Sequence, residues 1–187
     1  MHVHQTLPTQ FWTEFPWKLL ACTGPDQEKF LSGLVTNVVK GLAPGTSNLS
    51  LILTVKGRII SEILLVREAE RFSIWAPPQC EEQVWKHFDH YHIIEDIELS
   101  WDSTTEALVL SPALATQHGL PELTPGTGQV WTSIDPALWV THVQPQPTFS
   151  ALLAYGPAEA VAALRTQPGL GELWRGMGDG CGQAAEA

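Results

Sequence analysis

Apolar positions along the chain fall into short runs separated by turn residues, with two stretches at helical spacing between the first of them. Lys18 to Thr23 reads as a short apolar strand. Gly24-Pro25-Asp26 follows, where glycine permits a tight turn and proline is tolerated in a first helical turn because its missing N–H loses no bond there. Asp26 and Glu28 suit the positive end of a helix. Phe30, Leu31, Leu34, Val35 and Val38 then recur on one helical face, which predicts a helix ending near Lys40-Gly41. Leu49, Leu51, Leu53 and Val55 alternate with polar positions up to a turn at Lys56-Gly57. The return strand runs from Arg58 to Arg67, with Glu62 as its one internal charge. Apolar residues on both faces predict central strands covered on each side. A third strand, Arg71 to Ala76, follows a turn through Glu68-Ala69-Glu70. Pro77-Pro78 opens a helix to about Tyr91 with Val84, Trp85 and Phe88 inward, and Ile93 to Trp101 alternates as another strand. The order β-α-β-β-β-α-β predicts an α+β fold with a mostly antiparallel sheet and packed helices.

A weak internal repeat follows. Leu19-Leu20-Ala21-Cys22-Thr23-Gly24-Pro25 has an echo in Leu152-Leu153-Ala154-Tyr155-Gly156-Pro157, before a helix over Ala158 to Arg165. A looser copy is Leu108-Val109-Leu110-Ser111-Pro112, before Ala113 to His118. Gly-Pro by itself suits any strand-to-helix turn, but the strand and the helix recur together, which favours a duplicated α+β half. Pro121 to Gly128 reads as a loop, and Gln144-Pro145-Gln146-Pro147 as an extended connector. The division expected is an N-terminal extension over 1–17, an α+β domain over 18–168 and a tail over 169–187.

Charge narrows the partners. The formal net charge is -10, which opposes broad adhesion to nucleic acid or anionic lipid. No Lys or Arg lies between Lys86 and Arg165, so an anionic ligand is expected to meet the first half of the chain, where Lys40, Lys56, Arg58, Arg67 and Arg71 lie. No apolar run approaches the length of a membrane span. The start, Met1-His2-Val3-His4-Gln5, has neither the basic residues nor the apolar stretch of a secretory signal, so the expected compartment is the cytoplasm. Cys22, Cys80 and Cys181 have no C-x-x-C or zinc spacing, which argues against a disulfide framework or a closed metal site and for a reduced compartment. Eight tryptophans are expected mostly in the core.

Two segments carry a resemblance. Gly24-Pro25-Asp26-Gln27-Glu28-Lys29-Phe30-Leu31-Ser32-Gly33-Leu34-Val35-Thr36-Asn37-Val38 resembles the pattern G-x-D-x-x-x-F-L-x-x-x-x-T-N-D of the YgfZ and glycine-cleavage T-protein (aminomethyltransferase) superfamily. Leu53-Thr54-Val55-Lys56-Gly57-Arg58-Ile59-Ile60-Ser61-Glu62 resembles the G-R-I-x-x-D hairpin of the same proteins. The likeness extends over roughly Leu19 to Leu164. It implies interwoven α+β halves around a tetrahydrofolate-sized channel, with the family's C-terminal barrel absent from this chain. In T-proteins, acidic residues after the hairpin turn serve folate binding and aminomethyl transfer. Those positions are Ser61 and Glu62 here, and the T-N-D triplet reads Thr36-Asn37-Val38. The loss of two carboxylates points away from T-protein turnover and towards the YgfZ side. There the expected role is a folate-binding accessory supporting iron–sulfur proteins, including iron–sulfur tRNA-modifying enzymes, with tetrahydrofolate as cofactor. The alternatives are a tetrahydrofolate-dependent aminomethyltransferase with Glu62 as its acidic group, and a degenerate paralogue acting as an interaction module. The YgfZ cysteine motif, K-G-C-[FY]-x-G-Q-E, has only a shadow in Gly180-Cys181-Gly182-Gln183, which makes Cys181 a second candidate for the chemistry.

Each candidate also has a plain structural reading. Lys56 and Arg58 are either cations for the glutamate tail of a folate or solvated charges at a hairpin tip. Thr36 and Asn37 either hydrogen-bond a pterin or only cap the helix before them. Glu62, inside an apolar strand, needs a partner or a raised pKa unless its face is open to water. His87, His90 and His92 with Asp89 are read as a polar helix surface, because a zinc site needs a tighter ligand set; no metal is expected.

Overall fold

The computed structural model describes residues 12–120, 122–131, 137–146 and 149–165. Their strands form two five-stranded antiparallel sheets. The first sheet takes β2 (Lys18–Thr23), β3 (Ser47–Leu53), β4 (Ile59–Arg67), β5 (Phe72–Ala76) and β6 (Glu98–Asp102) in the order β3-β4-β5-β2-β6. The second takes β1 (Trp12–Glu14), β7 (Thr105–Leu110), β8 (Gly128–Trp131), β9 (Leu138–Gln146) and β10 (Phe149–Pro157) in the order β8-β9-β10-β7-β1. Helices α1 (Gln27–Ser32) and α2 (Glu81–Tyr91) belong to the first half, and α3 (Pro112–Gln117) and α4 (Ala158–Arg165) to the second. Neither sheet closes into a barrel among the described residues, and the α+β, mostly antiparallel class read from the sequence holds.

The two orders are the same order. β2-α1-β3-β4-β5-α2 of the first half matches β7-α3-β8-β9-β10-α4 of the second, element for element. Each half is preceded by one further strand, and these two are exchanged: β1 leads into β2 but pairs with β7, whereas β6 leads into β7 but pairs with β2. Residues 12–17, read from the sequence as an extension, therefore contribute β1 to the second sheet and Phe15 and Trp17 to the packing between sheets. The repeat read from the sequence is present as three strand–turn–helix units, but the topological counterpart of β2 is β7, the looser echo, and not β10.

Three apolar cores follow from this layering. Phe30 and Leu31 of α1 and Val84 and Phe88 of α2 cover Leu20, Ile63, Leu65 and Ile74 on the outer face of the first sheet. Leu114 of α3 and Val161 and Leu164 of α4 cover Leu108, Val140 and Leu152 on the second. Between the sheets, Leu19, Leu64, Val66 and Trp75 meet Val109, Leu153 and Tyr155. Both faces of most strands are thus buried, which is why they read as nearly continuous apolar runs rather than clean alternations.

Several local expectations are corrected. The helix expected to reach Lys40-Gly41 stops at Ser32. β3 is an edge strand, not a central one, and its outward N–H and C=O groups need partners. The chain after Gly33 supplies them: Val35 bridges Ile52 and the Thr36 N–H donates to the Leu51 carbonyl at 3.1 Å. The spacing of Leu34, Val35 and Val38 mimics a helical face, while the β-branched pair Val35-Thr36 suits this strand-like strap better. Strand β6 begins at Glu98 rather than Ile93, with Ile93 and Ile94 exposed in the preceding turn. Gln144 to Gln146 finish strand β9 rather than forming a connector.

Candidate functional site

The candidate site lies where the β3–β4 hairpin runs past the cover of the second sheet. Glu62 stands opposite Leu51, and Leu64 opposite Leu49. Residues directly opposed on antiparallel strands share a face, so Glu62, Leu64 and Val66 all look towards the second sheet. Leu64 and Val66 are buried there and Glu62 is exposed. The cover therefore ends between positions 62 and 64, and Glu62 sits on an open ledge. Its carboxylate meets the condition under which an internal charge needs no buried partner: its face is open to water.

The strap continues the ledge on the far side of β3. Thr36, Leu51 and Glu62 form one row across three chain segments, since Thr36 bonds Leu51 and Leu51 opposes Glu62. Two interstrand spacings separate Thr36 from Glu62, about 10 Å. The Leu51 N–H donates to Thr36 Oγ1 at 2.9 Å, in place of a second backbone bond. This acceptor role leaves the Thr36 O–H proton uncommitted in the exposed strap. Asn37 is exposed in position but committed in chemistry: its Nδ2 donates to the Leu49 carbonyl at 3.1 Å and its Oδ1 accepts from Val38 N–H at 2.8 Å. The structural reading of Thr36 and Asn37 thus takes a form the sequence did not suggest, a fastening to β3 rather than a helix cap.

Lys56 and Arg58 stand at the hairpin tip beyond Leu53 and Ile59, both exposed. The five-residue loop from Thr54 to Arg58 is closed by Gly57 N–H to the Thr54 carbonyl (2.9 Å) and Thr54 N–H to the Arg58 carbonyl (2.8 Å). Gly57 has φ +76° with open space around it, so the turn needs glycine for its backbone and not for room. Among the described residues neither cation has an ion-pair partner. Glu62, Lys56 and Arg58 thus lie on one hairpin with Thr36 on the strap alongside it, whereas Cys181 lies outside the described residues.

The histidines do not converge. His87 packs edge-on to Phe88 and Tyr91, with ring centroids 5.8 and 5.1 Å apart, and burial followed by the nearby His90 lowers its pKa. His92 is 6.0 Å from the Phe30 ring, and its Nε2 lies 3.1 Å from the Glu95 carbonyl. Among the described residues no three His, Cys, Asp or Glu side chains are grouped to hold a metal ion.

One polar cluster escaped the sequence reading. Glu68, at the turn between β4 and β5, is buried between the sheets. Its Oε1 accepts from Ser73 Oγ and from Tyr155 O–H at 3.0 Å, and its Oε2 accepts from Arg71 Nε at 2.9 Å. Arg71 reaches on to Asp102 at 3.5 Å. Burial first, then the Glu68 charge, hold the Tyr155 phenol well above its ordinary pKa. The one sequence signal was Arg71 three residues after Glu68, which a turn explains equally well. Tyr155, the partner from the other half, is 87 positions away and carries no local signal.

No protein-family model matches the chain. Over 108 residues it is 32% identical to the tRNA-modifying protein YgfZ of Photorhabdus laumondii, a stretch covering 58% of this chain and 32% of that protein. In fold it superposes on the glycine cleavage system aminomethyltransferase T of Bartonella henselae with a TM-score of 0.70 at 21% identity, covering 83% of this chain and 44% of that one. The chain thus spans about a third of its curated relative's length. The chain therefore has the fold of aminomethyltransferase T and is similar in sequence to part of YgfZ.

Proposed function

We propose that the chain is a folate-binding accessory protein of YgfZ type, supporting iron–sulfur cluster assembly or repair, including that of iron–sulfur tRNA-modifying enzymes. The observation that carries this reading is the open ledge: Glu62 faces water on the surface that two residues later becomes the inter-sheet core. The residues fit tetrahydrofolate by chemistry. A carboxylate at Glu62 accepts from the amino and amide N–H edge of a pterin, Leu51 offers apolar contact beside it, and the Thr36 O–H is a further donor. Lys56 and Arg58 are free cations for the carboxylates of the glutamate tail. Similarity to a protein named as tRNA-modifying supports the client class. The net charge of -10 favours proteins over nucleic acid as direct partners. No helix among the described residues is long and apolar enough to cross a membrane, and the cytoplasm remains the proposed compartment.

Binding without turnover separates this reading from its rival, an aminomethyltransferase using Glu62. Purified protein is titrated with tetrahydrofolate by calorimetry, then supplied with an aminomethyl donor. Saturable binding with no methylene-tetrahydrofolate formed is the expected result. Turnover abolished by Glu62→Ala would replace the accessory reading with the enzymatic one, and no saturable binding would leave only an interaction module that keeps the fold.

A further inference from the structure

The strap across β3 from Glu62 is fastened by two asparagines that act on each other's strands. Asn37, on the strap, spans to β3 through Nδ2 to the Leu49 carbonyl at 3.1 Å. Asn48, on β3, spans back through Nδ2 to the Val38 carbonyl at 3.0 Å. Both amide oxygens are also used: Asn37 Oδ1 accepts from Val38 N–H at 2.8 Å and Asn48 Oδ1 from Ser50 O–H at 2.8 Å. Both ends of each amide are thus bonded within the protein, which fixes the orientation of each side chain. Their joint effect is to fix the strap one interstrand spacing from β3.

Leu34, Val35 and the buried Val39 anchor the strap to the first core, but apolar packing does not by itself set its register along β3. Helix α1 ends at Ser32, and one isolated bridge, Val35 to Ile52, is its strand pairing. The Thr36 hydroxyl accepts the Leu51 N–H, so the direction of its free O–H depends on the strap staying in register. A register slip by one residue would replace Thr36 with Val35 or Asn37 beside Leu51 and would take the hydroxyl off the ledge.

We propose that Asn37 and Asn48 form a reciprocal amide clamp whose function is to position Thr36 across β3 from Glu62, making both asparagines positioning residues of the ligand ledge. Their importance for binding rests on the folate reading above; the clamp itself does not. Asn37 thereby moves from the ligand-contacting role that its motif suggests to a supporting one, and Asn48, outside both motifs, joins it.

The isosteric variants Asn37→Asp and Asn48→Asp each replace the donating NH2 with a carboxylate oxygen that faces the carbonyl it had bonded, and Thr36→Ser retains the hydroxyl. Two readouts are taken on the full chain: tetrahydrofolate affinity, and hydrogen exchange at the Thr36 and Leu51 amides relative to the β2 and β5 amides. The clamp predicts an affinity at least about fivefold weaker in each Asp variant, since a hydrogen bond is lost and two acceptors are left facing each other. It predicts near-native affinity in Thr36→Ser, and exchange faster by a similar factor at Thr36 and Leu51 alone. Asp variants that bind like the parent would overturn the positioning role. If the parent itself does not bind folate, the functional reading fails, and exchange decides the clamp: unchanged rates at Thr36 and Leu51 would remove it, and faster rates would sustain it.

Discussion

Thr46 and Thr127 bridge each other across the two halves of the molecule from equivalent places in them. Each ends a Pro-Gly-Thr turn, Pro44-Gly45-Thr46 before β3 and Pro125-Gly126-Thr127 before β8. Thr46 donates its N–H and Oγ1 to the Ala43 carbonyl at 3.1 and 2.6 Å; Thr127 does the same to Thr124 at 3.0 and 2.7 Å. Each threonine carbonyl then accepts a strand N–H at 2.8 Å, from Arg67 in one half and His142 in the other. Trp75 and Tyr155 repeat the relationship within the core: they occupy matching positions in β5 and β10, with ring centroids 5.2 Å apart at 76°. The duplication is therefore a pseudo-two-fold, with like meeting like at its centre.

This fixes the glycines of the knuckle. Gly45 has φ +89°, and a Cβ there would run into the Gly128 carbonyl; Gly119 has φ +70° with open space around it. Gly119→Ala should cost about 1 kcal/mol, the strain of a left-handed backbone alone. Gly45→Ala should cost clearly more, because the two knuckles must also separate. Urea unfolding of the two variants checks the difference, and equal losses would mean that the turns do not need their close approach.

Glu68 should be the most sensitive polar position in the core. Tyr155→Phe removes one of its three donors and is expected to lose about 1–2 kcal/mol. Glu68→Ala removes the acceptor for Ser73, Tyr155 and Arg71 at once, so its loss should exceed that of Tyr155→Phe. The double variant should lose less than the sum, because the two residues share one interaction. Equilibrium unfolding of the three proteins provides the cycle.

Acid should weaken the link between the sheets in a defined window. Burial pushes the Asp102 carboxyl upward, but hydrogen bonds from the Thr105 and Thr104 side chains and N–H groups outweigh it and bring the pKa from 3.8 to about 2. A carboxyl depressed on folding adds stability that is complete above its unfolded value and disappears as pH falls through the folded one. The Asp102 contribution should thus be lost between about pH 4 and pH 2. Thr105→Val, which removes one of these bonds, should narrow that window from below. Unfolding monitored by circular dichroism against pH checks both statements.

Cys22 should be inert while the protein is folded. It is a free thiol, fully buried in β2, and burial pushes its pKa up to about 12. Thiolate is the reactive form, so alkylation at pH 8 should leave the Cys22 peptide unmodified until denaturant is added, as read by peptide mass mapping.

Much of the first half was legible in the sequence because its strands and α2 are long enough to show their period. Leu49 to Arg67 declared a hairpin with its turn at Lys56-Gly57. The strap was not legible: Leu34, Val35 and Val38 fit a helical face, and only the unpaired edge of β3, a tertiary fact, draws them out of it. The exchange of β1 and β6 was hidden for the same reason, since Trp12 to Glu14 has no pattern of its own. At the candidate site, Thr36, Asn37, Lys56, Arg58 and Glu62 are singled out by motif likeness. Asn48 and Glu68 are not, because their partners lie 10 positions away on the strap and 87 away in the other half.

Glu62 is proposed to lie at a folate site on the open ledge. Tetrahydrofolate titration of the parent protein, Glu62→Ala and a control, Glu98→Ala on the far edge strand β6, tests it most directly. Saturable binding in the parent and the control, weakened about tenfold or more in Glu62→Ala, the scale of a lost charge-assisted hydrogen bond, is the result expected. Equal affinity in all three proteins would place any folate elsewhere and contradict the ledge.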